Sequence, residues 1–191
     1  MGIRDRGCRQ ATASRSGTGD QKIADPDPQP PIPNKELSLA ELTRKEVIAI
    51  VAVAGRSARL AGVDLSELDL SELNLYGVDL LGANLMGANL YRARLSKAEL
   101  GWANLEEANL ELAHLHQANL LGAKLARANL QNAALIEACL IGINMEGADL
   151  RGALLNGADL CGADLTVVRF DQKTEWPDGF DLAQHWRIDA T

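Results

Sequence analysis

A five-residue period runs without a break from Ala58 to Phe170, and it constrains the fold more than any other feature of this 191-residue chain. A leucine recurs at every fifth position from Leu60 to Leu165, interrupted only by Met145, and Phe170 closes the series of 23 central positions. Two residues before each centre stands a small or aliphatic residue, mostly alanine. A period of five fits neither an α-helical face nor an alternating strand. It fits a short extended segment followed by a corner.

The two residues after each centre are predicted to form that corner. In an extended segment alternate residues point the same way, so Ala83 and Leu85 face inward while Asn84 faces outward. The second residue after the centre occupies the slot in which a type II turn requires positive φ, which favours glycine. Glycines in this slot include Gly77, Gly82, Gly87, Gly122, Gly142, Gly147, Gly152, Gly157 and Gly162. From Arg92 to Gln117 the slot holds no glycine, so a different kind of corner is expected there.

Repeated corners of one hand would wind the chain into a solenoid, whose units bury their leucines by stacking on one another. The period alone leaves the number of sides open, although four near-right-angle corners would close a coil of 20 residues. A spacing of 20 is favoured because it lines up mostly apolar residues after the centres, namely Leu81, Gly101, Leu121, Ile141 and Cys161. Asn or Asp before most centres can hydrogen-bond the backbone of a tight bend.

The run Ala83-Asn84-Leu85-Met86-Gly87 follows the pattern A-(D/N)-L-x-x and resembles the pentapeptide-repeat family. The resemblance covers residues 58–170. It implies an all-β solenoid, a right-handed quadrilateral β-helix of about five to six coils with four pentads in each coil. Larger residues replace the inward alanine at Val63, Leu68, Leu73, Val78 and Ile143. The first coils are therefore expected to be wider or less regular than the rest.

Two segments precede the repeat. Residues 1–36 are polar and rich in proline, and they are expected to be a disordered tail. Residues 37–57 are predicted to form an N-terminal capping helix, because Ser38 with Glu41 three positions later makes a capping box. The helix is placed over 39–54, although β-branched residues near its end leave a strand open as an alternative. Either element would cover the exposed end of the first coil.

Residues 171–191 follow the repeat and are predicted to be a C-terminal cap. A Pro-Asp-Gly turn separates Trp176 from Phe180. These two rings are expected to cover the last coil, with Trp186 behind them. The resemblance supports this interpretation, since such tails follow the repeats in many bacterial members of the family.

Charge is distributed unevenly along the chain. The net charge is +2 over residues 1–57, −6 over 58–170 (8 basic and 14 acidic residues) and −3 over 171–191. An acidic repeat disfavours direct nucleic-acid binding, which relies on neutralising phosphates, but it could attract a basic protein. No apolar run reaches the roughly 18 residues of a membrane span. The first 20 residues lack the apolar core of a secretory signal, so the cytoplasm is the predicted compartment, with a transit peptide as the alternative.

Neither catalysis nor metal binding is expected. His114 and His116 flank Leu115 and face outward, which can begin a metal site. The stacked positions offer Arg94, Ser96, Ala134 and Ile136, none of which is a good ligand. Carboxylates such as Glu106, Glu107, Glu111 and Asp149 would lie on a convex surface rather than in the concave pocket where reactive groups gather. The sequence therefore predicts a non-enzyme with no cofactor and no metal.

An outward apolar patch is the candidate partner-contact face. One side carries Leu81, Trp102, Leu121, Cys139, Ile141 and Cys161, and the neighbouring side adds Tyr76 and Ile136. A contiguous exposed apolar patch often marks a contact site. Cys139 and Cys161 are expected to lie on this patch with their Cα atoms about 8 Å apart, which is too far for a disulfide.

Two functions are consistent with these features. The first is a non-catalytic protein–protein interaction scaffold, a rigid acidic rod that binds another protein or forms a homodimer. The alternative comes from the resemblance, because some members of the family form DNA-like dimeric rods that bind DNA gyrase, a type II topoisomerase. Here Arg92, Arg94 and Lys97 interrupt the acidic surface, and Leu182 to Ile188 is short for the C-terminal helical dimer contact of those members.

Overall fold

The computed structural model describes residues 42–181, which all belong to one compact unit, Leu39–Thr191. Within that range the chain forms one α-helix, α1 (Arg44–Ala54), one 3₁₀ helix, η1 (Gly55–Ser57), and then a long series of isolated β-bridges. The tail predicted at 1–36, the capping box predicted at Ser38 and Glu41, and Trp186 lie outside the described residues.

The repeat winds so that residues 20 positions apart lie side by side. All but one of the parallel bridges join residues separated by 20, from Arg59 with Asp79 onward, and the last joins Leu154 with Glu175, which are 21 apart. Four pentads therefore separate stacked positions, as the apolar column at spacing 20 predicted. Each pentad contributes a single bridged residue between two turns, so the described chain contains bridges in place of the longer strands typical of an all-β fold.

A single pentad shows how this winding satisfies the backbone. Ala83 N–H donates to the Leu80 carbonyl across the corner at 3.0 Å. Asn84 N–H donates to one neighbouring coil and Leu85 and Gly87 N–H donate to the other, at 2.6 to 3.0 Å. The remaining donor, Met86 N–H, is bound at 3.3 Å by the Asn84 side-chain oxygen. All five N–H groups are bonded, and this explains why Asn or Asp recurs before the centre.

Leucine and alanine fill a continuous dry interior. The central leucines from Leu60 to Leu155 are 0–1 % exposed, and Met145 takes its place among them at 0 %. Val63, Leu68 and Leu73, in the first coil, are only partly buried and pack against this core, while Val78 is fully buried. The expected greater width of the first coils stays a prediction. At roughly 0.8 kcal/mol for each buried CH₂, repeated leucine burial is the main source of stability.

Corners without glycine are the same left-handed turns as corners with glycine, so the prediction of a different corner from Arg92 to Gln117 was wrong. The second corner residue has φ of 53° at Arg92, 59° at Trp102 and 54° at Gln117, against 63° at Gly82. A side chain in this conformation costs roughly 1–2 kcal/mol. The cost is offset because the conformation aims the corner N–H at the next coil, as Trp102 N–H does toward the Leu121 carbonyl at 2.9 Å.

Helix α1 covers the open end of the first coil, but it begins at Arg44 and not at residue 39 as the sequence suggested. Thr43 is the N-cap residue and has an extended backbone. Its side chain and that of Glu46 form the capping box at which the helix begins. Val47 is fully buried against the core. Arg44 reaches the repeat with an ion pair to Asp69 at 3.1 Å, so α1 is held by both apolar and charged contacts.

Aromatic rings cover the other end of the core. Phe170 meets Trp176 edge to face with centroids 5.8 Å apart, and Trp176 stacks on Phe180 at 5.3 Å. All three pack against the buried cluster. The Thr174 hydroxyl is buried and donates to the Leu150 carbonyl at 2.9 Å, which pins this segment to the last coil. Edge-to-face and offset contacts of this kind stabilise aromatic clusters.

A ladder of polar side chains runs along one outer side of the repeat. Asn89, Asn109 and Asn129 each donate an amide N–H to the side-chain oxygen stacked below, at 3.1 Å, and the ladder ends on Asp69. The same oxygens accept a backbone N–H two residues ahead, for example Glu111 N–H at 3.2 Å from Asn109. Each ladder asparagine therefore stabilises both its own corner and its neighbouring coil.

Replacing Asn109 with aspartate should break this ladder. The carboxylate keeps the corner bond but can no longer donate to Asn89, so we expect Asn109→Asp to lower the free energy of unfolding by about 1–2 kcal/mol. Asn104→Asp is the matched control, since Asn104 makes the same corner bond at 3.2 Å but donates no ladder bond within residues 42–181. Thermal unfolding should show a lower midpoint for Asn109→Asp alone. Equal losses for both variants would show that the ladder contributes nothing.

Lys97 tests the strain of the left-handed corners. Its φ is 60° and its side chain is exposed, so Lys97→Gly should raise the free energy of unfolding by about 0.5–1 kcal/mol as relief of strain exceeds the added chain entropy. Lys97→Val should lower it, because a β-branched residue is strained further at positive φ. Chemical denaturation measures the free energy of unfolding of both variants. Equal values for the two variants, or a higher value for Lys97→Val than for Lys97→Gly, would contradict the argument.

Candidate interaction surfaces

The predicted apolar residues line one corner of the repeat. The first position of this corner, directly after the centre, recurs every 20 residues and holds Leu81, Gly101, Leu121, Ile141 and Cys161. Trp102 occupies the second position of the same corner. Leu81, Trp102 and Leu121 are 49 %, 66 % and 37 % exposed, and Ile141 and Cys161 are half-buried. We call Leu81, Trp102, Leu121, Ile141 and Cys161 the apolar corner.

Glycines of this corner hold its large side chains in place. A Cβ atom at Gly122 would lie 2.4 Å from the Trp102 ring, so the indole lies directly over the glycine of the next coil. A Cβ at Gly101 would lie 3.1 Å from the Leu81 side chain. Leucine or tryptophan on one coil therefore fits where the next coil lacks a side chain. The indole is anchored by this contact while most of its surface stays open to a partner.

The other predicted face residues divide between two places. Cys139 bridges Asn119 and Asp159 beside the apolar corner and is a half-buried free thiol, and Ile136 is half-buried on the corner just before it. Tyr76 is also half-buried and lies in the same stacked column as Ile136, three coils away, where the Arg56 guanidinium sits 5.8 Å from its ring centroid. The contiguity of the apolar patch stays a prediction, and Tyr76 also borders a second feature of the surface.

That feature is a cavity of about 740 Å³ where the end of α1 and η1 meet the repeat. Its lining includes Arg56, Tyr76, Arg94 and His114. Sequence reasoning missed this cavity. A signal was present in the repeat, because Arg94 and His114 fill consecutive stacked places that in most other pentads hold Asn or Asp. The position of Arg56, which precedes the repeat, was not available from any spacing.

Two arginines on other sides of the repeat are paired with carboxylates. Arg127 donates to Glu107 at 2.8 Å, and Arg151 donates to Asp149 at 2.6 Å. The hydrogen bonds from Arg151 lower the pKa of the Asp149 carboxyl below its usual value, against the opposing effect of burial. Such pairs neutralise the charges of these faces locally. The side chains in these ion pairs therefore have mainly a structural role.

The two histidines occupy the positions expected for them. His114 bridges Arg94 on one side and Ala134 on the other, as the spacing of 20 predicted. Across residues 42–181 no group of three or more His, Cys, Asp or Glu side chains is arranged to hold a metal ion. In the same range no helix has the length and apolar character needed to cross a membrane.

Comparison with known proteins agrees with this geometry. A family model for pentapeptide repeats matches the chain in eight copies, over residues 56–92, 93–132 and 128–166. No curated protein matches the chain.

Solved structures of pentapeptide repeat proteins are also similar. The protein Rfr23 from the cyanobacterium Cyanothece 51142 is 44 % identical over 53 % of this chain, which spans 65 % of that protein, with a TM-score of 0.32. A protein of the Arabidopsis thaliana thylakoid lumen is 26 % identical over 62 % of this chain and 72 % of its own, with a TM-score of 0.47. HetL from Nostoc sp. strain PCC 7120 is involved in heterocyst differentiation regulation. It is 30 % identical over 59 % of this chain and 74 % of its own, with a TM-score of 0.21.

The family model spans more than half of the chain, and its matches coincide with the stacked pentads, the buried leucines and the left-handed corners described above. The chain therefore belongs to the pentapeptide-repeat family.

Proposed function

We propose that the protein is a non-catalytic scaffold that binds another protein through the apolar corner, together with Cys139 and Ile136. The observation that carries this proposal is Trp102, which is 66 % exposed yet seated on Gly122. Tryptophan is among the residues most enriched at the energetic centres of protein interfaces. A ring that is already held in place loses little conformational freedom on binding.

The backbone beneath the apolar corner supports the proposal because it is rigid. Trp102 N–H donates to the Leu121 carbonyl, and Gly122 N–H donates to the Ile141 carbonyl, each at 2.9 Å. The rod we infer is a right-handed quadrilateral β-helix of five to six coils, which would present these side chains at fixed separations of roughly 4.8 Å. A partner with a complementary row of apolar side chains would meet a pre-formed surface.

Acidic groups beside the apolar corner point to a basic partner. Asp79 stands two residues before Leu81 and accepts its N–H at 3.2 Å. Glu99 is bonded to the Asn119 amide at 2.8 Å on the same side. Carboxylates at the rim of an apolar contact steer a cationic partner during its approach, while the apolar centre stabilises the complex. We therefore infer a partner with an apolar centre and a basic rim, and we keep the cytoplasm as the proposed compartment.

The DNA-mimic alternative is less well supported by the distribution of charge. A duplex presents closely and evenly spaced negative charges. Here Arg92, Arg94 and Lys97 lie on one side of the repeat, and no ion pair joins them to a carboxylate within residues 42–181. A supercoiling assay with purified DNA gyrase separates the two functions, because a mimic would inhibit the reaction and a scaffold for another partner would leave it unchanged.

Leu121→Asp should abolish partner binding, and Met86→Asp is its matched control. Both residues follow a centre and are similarly exposed, at 37 % and 41 %, but Met86 lies on a different corner. In pull-downs from native lysate, we expect the wild type and Met86→Asp to retain the same partner protein in similar amounts. The amount retained by Leu121→Asp should be at least about tenfold lower, because the variant places a charge in an apolar contact. Trp102→Ala should give the same loss.

Three outcomes are distinguishable in this experiment. Identical sets of bound proteins for Leu121→Asp and the wild type would refute the apolar corner as the contact surface. Equal losses for Leu121→Asp and Met86→Asp would show a general effect of added charge and not a specific face. If size-exclusion chromatography gives a dimer for the wild type and a monomer for Leu121→Asp, the partner is a second copy of this chain.

A further inference from the structure

Unpaired cationic side chains converge on the cavity between α1, η1 and the repeat. Arg56 and Arg94 line it together with His114, and no Asp or Glu is among its lining residues. In the part of the chain from 42 to 181, Arg56 and Arg94 form no ion pair and donate no side-chain hydrogen bond. This distinguishes them from Arg127 and Arg151, whose guanidinium groups are bound to carboxylates.

Arg56 is held in position without using its charge. Its aliphatic chain lies 3.4 Å from the place where Gly77 would carry a Cβ atom, and its guanidinium lies over the Tyr76 ring at 5.8 Å. Gly77 thus provides the space in which the arginine stem packs. The ring contact orients the guanidinium but leaves its five N–H donors open to an oxygen-rich ligand.

Arg94 and His114 form the opposite wall from adjacent coils of the repeat. The two residues are bridged directly, so their side chains leave the surface roughly 4.8 Å apart. Asn74, stacked below Arg94, adds a neutral donor at the same wall. Several donors, two of them permanently charged, then face one space, which is the arrangement that recognises phosphate oxygens.

We propose that this cavity binds a small phosphomonoester with an apolar or aromatic body. The cavity is an open groove, since its lining residues are exposed or half-buried, and its volume of about 740 Å³ leaves room for more than a phosphate. Val51 and Ala52 give part of the wall an apolar character that suits the body of the ligand. The phosphate is held between Arg56 and Arg94, with His114 beside Arg94, and the body of the ligand lies against Val51 and Ala52.

This proposal is independent of the partner-binding function. Arg94 and His114 stand on the side of the repeat whose centres are Leu95 and Leu115, whereas Trp102 and Leu121 belong to the corner that follows Leu100 and Leu120. Of the proposed contact residues, Ile136 alone follows a centre, Leu135, on the side of the cavity. Loss of either activity should therefore leave the other unchanged. The two can be tested with separate variants of the same full-length chain.

The test is isothermal titration calorimetry of the full chain with phenyl phosphate. We expect saturable binding that weakens as salt is raised, because ionic contacts are screened. Arg94→Gln and Arg56→Gln should each weaken binding at least about tenfold, which is the effect of losing a charged hydrogen bond. Lys124→Gln is the matched control, since Lys124 fills the same slot as Arg94 on another side of the repeat, and it should change affinity by less than about twofold.

Three further ligands make the result specific. Phenol should not bind, because it lacks the charge, and inorganic phosphate should bind more weakly than phenyl phosphate, because it lacks the apolar body. The acidic peptide acetyl-tetra-aspartate amide should also bind more weakly than phenyl phosphate. Thermal unfolding of each variant checks that Arg94→Gln and Arg56→Gln remain folded, and the two variants act on different walls of the cavity.

Each contrary result overturns the proposal. Absence of saturable phenyl phosphate binding up to 10 mM would remove the site. Equal weakening by Lys124→Gln would reduce it to a general attraction between charges. Tighter binding of the aspartate peptide would make the cavity a recognition site for acidic proteins instead, and equal affinity for inorganic phosphate would refute the role given to Val51 and Ala52.

Discussion

Backbone hydrogen bonding between neighbouring coils, which pairs residues at a spacing of 20, is the constraint on which the whole molecule depends. It sets the length of a coil, stacks leucine on leucine and brings each corner into contact with the next. The strength of this constraint is visible at Trp102 and Arg92, which accept a left-handed backbone so that their N–H groups reach the neighbouring coil. Surface side chains that make no bond to a corner or to a neighbouring coil are then free to vary, whereas the Asn and Asp before the centres contribute to the winding.

Sequence reasoning predicted the interior of the repeat well and its boundaries less well. Leucine at every fifth position, alanine two residues earlier and the apolar column at spacing 20 were sufficient for the stacked arrangement, because burial has a direct periodic signature. The corners at Arg92 and Gln117 were mispredicted because intrinsic preference was considered without the bond that offsets it. Helix α1 was extended too far, since a second capping box at Thr43 and Glu46 went unnoticed.

The candidate surfaces show the same division. Members of the apolar corner could be identified from spacing, because residues 20 apart within the repeat must stack. The contact of the Trp102 ring with Gly122 was missed although the two residues are 20 apart, because the direction of a side chain has no periodic signature. The cavity required a contact between Arg56, which precedes the period, and Tyr76 within it. The sequence assigned Tyr76 to the apolar patch because its contact with Arg56 could not be foreseen. The placement of η1 shows that Tyr76 also lines the cavity.

Corners that differ so little from one another have a consequence for how such a chain can change over generations. Insertion or loss of one pentad between Trp102 and Leu121 would keep a leucine at every fifth position, yet it would shift all later residues by five positions within the 20-residue spacing. Leu121 and Ile141 would no longer align with Leu81. Natural selection on the length of this repeat therefore acts through the alignment of its outer surfaces, since its interior is indifferent to the number of units.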